Sequence, residues 1–546
     1  MKKRTKIISV LLAMSMIVGM TGCMKSGDSG EKSGKTEKSN KAAEVPEGLW
    51  DPYKETVTIS TVVPENAGIL WRKGDDYDNN SWYRAYEEQF NIKVVNDWVS
   101  NDYATKLNLS IADGSIPDVF FVDSQQLKQL QEADLIWDLT DIYEKYASDT
   151  IKGYMKQESD TFETGKIDRK LYGIPQLSYG IIDQPNQIWI RKDWKEEQKM
   201  ADPKTMDDVV NIAKTFQKEY GGYGLTENQD LDCLKVLAPA WGAHPDIWVE
   251  TEDGRLGYGS VQPEMKEALQ TYSEWYKEGI IDPNFTTKDL EKMLQGELNS
   301  EVGVSPYFQY WGYDPGPNMV SNNGKDSIFE AYKIPSANGE EVKANITFAN
   351  YGYIVVSKNC KNPEAVFKLL NFYARCMDEP DKMDDKLIDE LFSDNYNIIP
   401  YALRVINPNT DYNQFVKVTD ALNKGLDVDP TTLGKDGIKY KNSVDFIKNG
   451  ASTGAGDYCQ QGGPKAAYKI SKEMIDNEEY VKDAMWGPQT PTLLDSGSTL
   501  DDILTEGFTK IIVGEKDINY FDTLVKDWEK AGGTKATEEI NETYGK

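Results

Sequence analysis

Thr56-Val57-Thr58-Ile59-Ser60-Thr61-Val62-Val63 alternates as a strand does, and residues 81–90 put Trp82, Tyr83, Tyr86 and Phe90 on one helical face. Ile92-Lys93-Val94-Val95 predicts a second strand and residues 103–111 a second helix. Asp118-Val119-Phe120-Phe121-Val122 is an unbroken apolar run of the kind found in buried parallel strands, so the segment reads β-α-β-α-β. Lys204-Thr205-Met206-Asp207-Asp208 opens a further helix, with Thr205 as N-cap and Asp208 completing a capping box ahead of Val209, Ile212, Ala213 and Phe216. Residues 346–356 predict one strand, and Asn362-Pro363-Glu364 predicts a helix start with a cap, a first-turn proline and an acid on the dipole. Near the end, Thr499-Leu500-Asp501-Asp502 predicts the cap of a helix carrying Ile503, Leu504, Phe508, Ile511 and Ile512. Phe521, Leu524, Val525 and Trp528 mark another, stopped at Gly532-Gly533. These stripes are core positions, and no internal repeat indicates a solenoid or propeller.

The N-terminus departs from this pattern. Met1-Lys2-Lys3-Arg4 and Lys6 precede an apolar run from Ile7 to Val18, too short to span a bilayer, which reads as a signal peptide over residues 1–22. Met20-Thr21-Gly22-Cys23 resembles a bacterial lipobox, in which the cysteine is lipidated; an ordinary secretory cleavage beside a chance cysteine is the alternative. Residues 23–46 then form the lipidated cysteine and a polar, disordered tether. Cys360 and Cys376 flank the helix expected after Asn362, too far apart to bond each other, and with Cys233 and Cys459 they predict no obligatory disulfide framework.

Composition narrows the function. A chain of 546 residues exceeds what one core organises, so two or more lobes are expected. There are 90 Asp+Glu against 61 Lys+Arg, a formal charge of −29, a field that repels nucleic acid. Loss of the leader removes four positive charges and no negative ones, taking the remainder to about −33. His244 is the one histidine, which excludes His-rich zinc sites and leaves one ring for any Ser-His-Asp or Cys-His arrangement; a structural role fits its loop setting. No P-loop and no G-x-S-x-G occurs. Asp76-Tyr77-Asp78-Asn79-Asn80-Ser81 with Glu87 imitates a calcium loop, but Ser81 replaces the glycine its turn needs, so no metal and no cofactor is expected.

Short segments in order resemble a known family: Ile116-Pro117-Asp118-Val119; Glu132-Ala133-Asp134-Leu135-Ile136-Trp137-Asp138-Leu139-Thr140; Lys170-Leu171-Tyr172-Gly173-Ile174-Pro175; and Trp189-Ile190-Arg191-Lys192-Asp193-Trp194. Pro203-Lys204-Thr205-Met206, Asn362-Pro363-Glu364-Ala365-Val366 and the stretch from Phe508 through Asp527-Trp528 continue the series, whereas roughly residues 380–480 match nothing. The chain resembles the extracellular solute-binding lipoproteins of carbohydrate ABC transporters, in the long branch found in Gram-positive bacteria. The resemblance implies an α/β, two-lobe, periplasmic-binding-protein-like fold with a hinge and an interlobe ligand cleft. Lobe 1 would be residues 47–180 plus about 348–405, and lobe 2 residues 181–347 plus about 406–546, with crossovers near 173–182, 345–349 and 400–406.

It also implies a non-catalytic receptor, monomeric and held on the outer face of the cell membrane through its lipid alone. Such a receptor captures a carbohydrate, expected to be an oligosaccharide, and delivers it to permease subunits served by a separate ATPase. Sugars are gripped by aromatic rings and by Asp, Asn, Gln and Arg on their hydroxyls, so candidates belong in loops after strands and at crossovers. Trp71, Asp123, Gln176, Tyr179, Asp183, Trp241, Tyr310, Trp311, Tyr351 and Trp486 satisfy that position. Many relatives carry a calcium-type loop after the helix corresponding to 207–220; Glu219-Tyr220-Gly221-Gly222-Tyr223-Gly224 lacks its carboxylates. Rival readings are a surface glycoside hydrolase or lyase with a hidden carboxylate pair, and the same fold binding a peptide.

Overall fold

The computed structural model describes residues 42–66, 69, 71–348, 350–392 and 403–545; the leader, Cys23 and residues 24–41 of the tether lie outside them. Strand β1 (Val57–Pro64), helix α1 (Ser81–Phe90) and strand β2 (Ile92–Ser100) open the fold, and the strands pair in parallel from Val57↔Ile92 to Pro64↔Ser100. Asn80 caps α1 by accepting the Tyr83 N–H at 3.0 Å, and Asn91 ends it in the left-handed region at φ 56°. Helix α2 (Tyr103–Asp113) leads to β3 (Val119–Val122), whose successor α3 (Ser124–Glu132) is capped by Asp123. Strands β4 (Ile174–Leu177) and β5 (Gln187–Arg191) flank the first change of core. Helix α4 (Met206–Tyr220) carries the expected Thr205/Asp208 capping box and buries Val209, Ile212, Ala213 and Phe216.

Helices α5 (Asp232–Leu237) and α6 (Met265–Lys277) follow, then β6 (Val304–Tyr307), β7 (Phe329–Tyr332), β8 (Ala344–Ile346), β9 (Asn350–Val356) and helix α7 (Glu364–Asp378). The remainder is mainly helical: α8 (Thr410–Lys424), α9 (Gly437–Asn449), α10 (Ala467–Asp476), the short β10 (Tyr480–Lys482), α11 (Pro491–Ile512), α12 (Tyr520–Trp528) and α13 (Thr534–Tyr544). Among the described residues no helix is long and apolar enough to cross a membrane.

Two sheets organise two cores. In the first, β9 lies between β3 and β4 and runs antiparallel to both, with Val356 opposite Val119 and Ile354 opposite Ile174. In the second, β5 lies between β6 and β7, again antiparallel. The first core gathers Val57, Trp82, Tyr86, Phe90, Ile174 and Phe372, mixing residues from both sides of the second sheet in sequence. The second gathers Ile190, Phe216, Trp241, Tyr272, Phe508 and Trp528. Each aromatic buried in this way removes about 150–250 Å² from water, the dominant stabilising contribution.

Several local expectations change. The run 118–122 is antiparallel rather than parallel, because its partner β9 returns from far along the chain. The strand expected over 346–356 is two: β8 pairs in parallel with β10 and β9 joins the first sheet. Asn362 does not cap α7; its amide binds Ala43 O at 3.0 Å and Glu364 Oε1 at 2.8 Å. Cys376 lies inside α7, and the four described cysteines are free and buried. Thr499 is mid-helix, since α11 begins at Pro491 after Thr490. The chain does turn at Gly532, where φ 140° separates α12 from α13.

Candidate functional site

The segments linking the two cores meet one another. Gly180 has φ 112°, and a Cβ there would stand 2.0 Å from Pro408 O, so only glycine allows the backbones of residues 178–183 and 403–409 to approach so closely. Gln176 is buried and donates Nε2 to Arg404 O at 2.8 Å, while Gln184 Oε1 accepts the Thr347 N–H at 2.8 Å. Two side-chain bonds thus tie the first link to the third and to the second.

Asp183 is the centre of this arrangement. Its Oδ1 accepts from Tyr468 Oη at 2.8 Å and from Gln309 Nε2 at 3.2 Å, and Asp411, at the start of α8, stands within hydrogen-bonding reach. Burial, then the Asp411 charge, pushes Asp183 up to about 8; burial also raises Asp411, and Lys439 and Lys435 oppose that rise. The Tyr468 phenol is raised by its burial and by facing both carboxyls. Two carboxyls so placed share one proton, which is held in the bond between them and leaves the remaining carboxyl oxygens as acceptors. Gln460 extends the network, with Nε2 at 3.4 Å from Gln309 Oε1 and 3.3 Å from Tyr468 Oη.

Exposed rings border this polar centre. Phe308 and Tyr310 are 37% and 38% exposed, stacked with centroids 5.7 Å apart, and Tyr351 is 56% exposed. Tyr179, Asp183, Arg404 and Asp411 all lie close enough to Tyr351 to act on its phenol. A cavity of about 280 Å³ is lined by Asp183, Gln184, Asp232, Lys235, Phe308 and Thr347, among others. Such a surface can cover a flat apolar face with a ring and exchange hydrogen bonds at its edges. His244 stands behind it: Asn345 Nδ2 donates to Pro245 O, which leaves Asn345 Oδ1 to accept from His244 Nδ1 at 2.7 Å. Burial lowers the pKa of His244, so the ring is a neutral strut.

Of the sequence candidates, Tyr179, Asp183 and Tyr351 come together around this centre, Tyr310 stacks on Phe308, which lines the cavity, and Gln176 binds the Arg404 backbone. Trp311 and Trp241 do not join them. Trp311 is 1% exposed and donates Nε1 to Glu297 Oε1 at 2.7 Å, and Trp241 is 5% exposed and packs on Trp275 with centroids 5.8 Å apart. Neither ring has a free face. Asp123 is also corrected: its carboxylate accepts the Gln126 N–H at 2.7 Å as the cap of α3. Trp71 is half-buried edge-on to Tyr77 against the first core, at 5.0 Å. Trp486 meets Phe348 edge-on at 5.5 Å and has Lys482 Nζ 3.5 Å above its ring, so one face is covered. Cys23 lies outside the described residues.

Sequence reasoning missed Phe308, Gln309, Asp411, Gln460 and Tyr468. Phe308 and Gln309 adjoin Tyr310 and were within reach of the same argument; the other three fall in the stretch with no resemblance to follow. Asp76 does not gather oxygen ligands: its Oδ1 accepts the Asp78 and Asn79 N–H groups at 2.9 and 2.8 Å. Among the described residues no three potential metal ligands cluster.

The profile of the bacterial extracellular solute-binding proteins matches residues 74–375, more than half of the chain. The chain belongs to that family. It is 22% identical over 491 residues to lipoprotein LipO of Bacillus subtilis (strain 168), covering 86% of this chain and 89% of that one. It is 22% identical over 485 residues to the polygalacturonan/rhamnogalacturonan-binding protein YtcQ of the same strain, covering 84% and 85%. The structure of the S. pneumoniae ABC-transporter substrate binding protein FusA in complex with kestose superposes with a TM-score of 0.59 at 16% identity, over 89% of this chain and 98% of that one. The fold is therefore the two-lobe fold of extracellular solute-binding proteins.

Proposed function

We propose that the chain is the receptor of an ABC importer, which captures an oligosaccharide between its lobes and passes it unchanged to permease subunits driven by a separate ATPase. The observation that carries this reading is the convergence on Asp183 of exposed rings and hydrogen-bonding side chains at the hinge. Tyr351 and the Phe308/Tyr310 pair offer stacking faces, and the proton-sharing carboxyls with Gln309 and Gln460 suit hydroxyls, which cost kcal/mol to bury unpaired. YtcQ and FusA, whose names specify saccharide ligands, support the same class.

Lobe 1 is assigned residues 47–180 plus about 348–405 and lobe 2 residues 181–347 plus about 406–546, supported by the separation of the two cores along those lines. The body is held at the outer face of the cell membrane by lipid on Cys23. Catalysis is not part of this function. Glycosidase carboxyls stand about 5 Å or more apart to admit the scissile bond or a water, whereas Asp183 and Asp411 are within hydrogen-bonding reach of each other.

A thermal-shift screen of the mature protein against neutral and acidic oligosaccharides tests the reading. A ligand at a hundred times its Kd adds about 2.7 kcal/mol to the bound form, so a true ligand raises the melting temperature measurably. No shift with any saccharide would remove the carbohydrate assignment, and sustained release of reducing ends would replace it with hydrolysis. Cys23→Ser should release the protein into the medium; retention on the membrane would refute the lipid anchor.

A further inference from the structure

A second concavity, of about 750 Å³, lies beside the Asp183 centre, with Lys435 of its lining close enough to act on Asp411. It shares no lining residue with the smaller cavity and is built from the end of α7, the third linking segment, α8 and residues 432–436. All of it falls beyond residue 375, where the family match ends. Helix α8 is the partition. Asp411 and Phe415 face Asp183, Ile182 and Tyr468, with Tyr412 and Val416 packed against the same cluster, while Thr410, Asn413 and Lys417 point about the other way round the helix and line the crevice. Its volume is within the range of about 300–1,000 Å³ typical of ligand pockets.

The lining indicates which chemistry fits. Its two lysines are already engaged: Lys417 Nζ is 2.9 Å from Asp436, which Gln414 also binds at 3.2 Å, and Lys435 Nζ is 3.8 Å from Asp378. Asn407 Nδ2 adds a hydrogen bond to Asp378 at 2.5 Å. Charges of both signs therefore cancel locally, and an anionic ligand would have to break one of these pairs to gain a cation. Tyr412, Val416 and Leu433 are half-buried and give an apolar floor, with Lys472 Nζ 5.6 Å from the Tyr412 ring centroid; at its edge Asn413 offers an amide, and the Thr410 and Thr432 hydroxyls, which donate to Asn407 O and Asp429 O at 2.8 and 2.7 Å, offer acceptors. Gly434, at φ 59°, leaves bare backbone there, with nothing within 4 Å of a would-be Cβ. One flat apolar surface rimmed by neutral donors and acceptors is the complement of an uncharged polyhydroxylated ring.

We propose that this crevice is a second saccharide-binding site, selective for uncharged sugar units and separate from the Asp183 carboxyls; it rests on the carbohydrate reading above. Its walls come from α7 on one side of the hinge and α8 on the other, so an occupant would bias the hinge as well as add binding.

Isothermal titration with malto-, fructo- and xylo-oligosaccharides of two to seven units, with oligogalacturonides as the charged comparison and saturation-transfer NMR for weak events, provides the test. The wild-type chain should show two binding events with at least one neutral series. Asn413→Trp and Thr432→Trp, substitutions at exposed positions that fill the crevice, should each abolish one event or weaken it at least tenfold and leave the other within twofold. One event only, unaffected by either variant, would overturn the second site while leaving the carbohydrate function intact. A second event seen only with oligogalacturonides would overturn its neutral selectivity. No event with any saccharide would defeat the carbohydrate reading and this inference together.

Discussion

Replacing Trp311 with phenylalanine separates folding from binding at a position where the sequence favours a ligand contact. The indole is buried beneath Tyr307 and gives its N–H to Glu297 Oε1 at 2.7 Å, an oxygen that also accepts from the Ser305 hydroxyl. Phenylalanine keeps one ring, removes the donor and leaves a gap where the second ring stood. Loss of a hydrogen bond to a buried group costs about 1–3 kcal/mol, and full truncation of a buried Trp about 3–5 kcal/mol. Trp311→Phe should therefore cost about 2–3 kcal/mol and Trp311→Ala about 3–5 kcal/mol of stability. The check is a urea unfolding midpoint measured beside titration with the ligand found by the thermal-shift screen. Affinity for that ligand should stay within about twofold for Trp311→Phe, since no ring face is presented to the cleft. A tenfold loss of affinity with an unchanged unfolding midpoint would refute the argument and return Trp311 to the ligand surface.

Stability should also fall between pH 5 and 8. Burial pushes Glu227 and Glu297 each up to about 8 and Asp483 up to about 6. Folding takes up protons at these groups, so their contribution is complete below the unfolded carboxyl pKa, near 4.5 for glutamate, and is lost as pH rises towards 8. Depressed carboxyls such as Asp202, held at about 2 by Lys195 and Lys465 despite burial, act only at lower pH. Midpoints constant or rising over that interval would contradict this sign, and Glu297→Gln should flatten the decline. Tyr351→Ala and Tyr310→Ala remove exposed rings at the candidate cleft, and each should weaken ligand binding about tenfold, from stacking and burial worth about 1–2 kcal/mol; unchanged titrations would make them ordinary surface residues. Gly180→Ala places a Cβ against Pro408 O at φ 112°, so it should cost about 1–3 kcal/mol and diminish any ligand-induced compaction measured by small-angle scattering; unchanged stability and compaction would contradict the close approach of the two links.

Helix termini were readable where every partner was local. The Thr205/Asp208 capping box closes within four residues, and α1 follows from Asn80 and an aromatic stripe. Asn362 carries the same local signal and fails as a cap because its Oδ1 accepts the N–H of Ala43, more than three hundred positions away, at 2.9 Å. The apolar run 118–122 reports that a strand is buried, but burial does not encode direction; β9 supplies the direction after both of the preceding crossings. In α11, Gly497 and the serines beside it resemble a linker, and the helix runs through them because Leu500, Leu504 and Phe508 are fixed in the second core. The expected stripe was right and its start was not.

The same distinction governs the candidate site. A crossover is a property of chain order, so Tyr179, Asp183 and Tyr351 could be found from sequence, whereas Asp411 and Tyr468 reach the centre through tertiary packing of α8 and α10. The mistaken tryptophan has a more specific cause. Beyond β6 the backbone turns, the Trp311 N–H donating to Phe308 O at 3.1 Å and the Tyr313 N–H to Tyr310 O at 2.8 Å; Tyr307, Gln309 and Trp311 are buried, and Phe308 and Tyr310 are exposed. A glycine- and proline-rich context suggests an irregular loop in which every ring is equally available, and on that view Tyr310 and Trp311 are both candidates. The turn separates them: it brings Trp311 to Glu297 and Gln309 to Asp183, and it leaves Tyr310 at the surface, stacked on Phe308. Which ring is buried is thus decided by the partners the turn reaches, and those partners lie outside the segment itself.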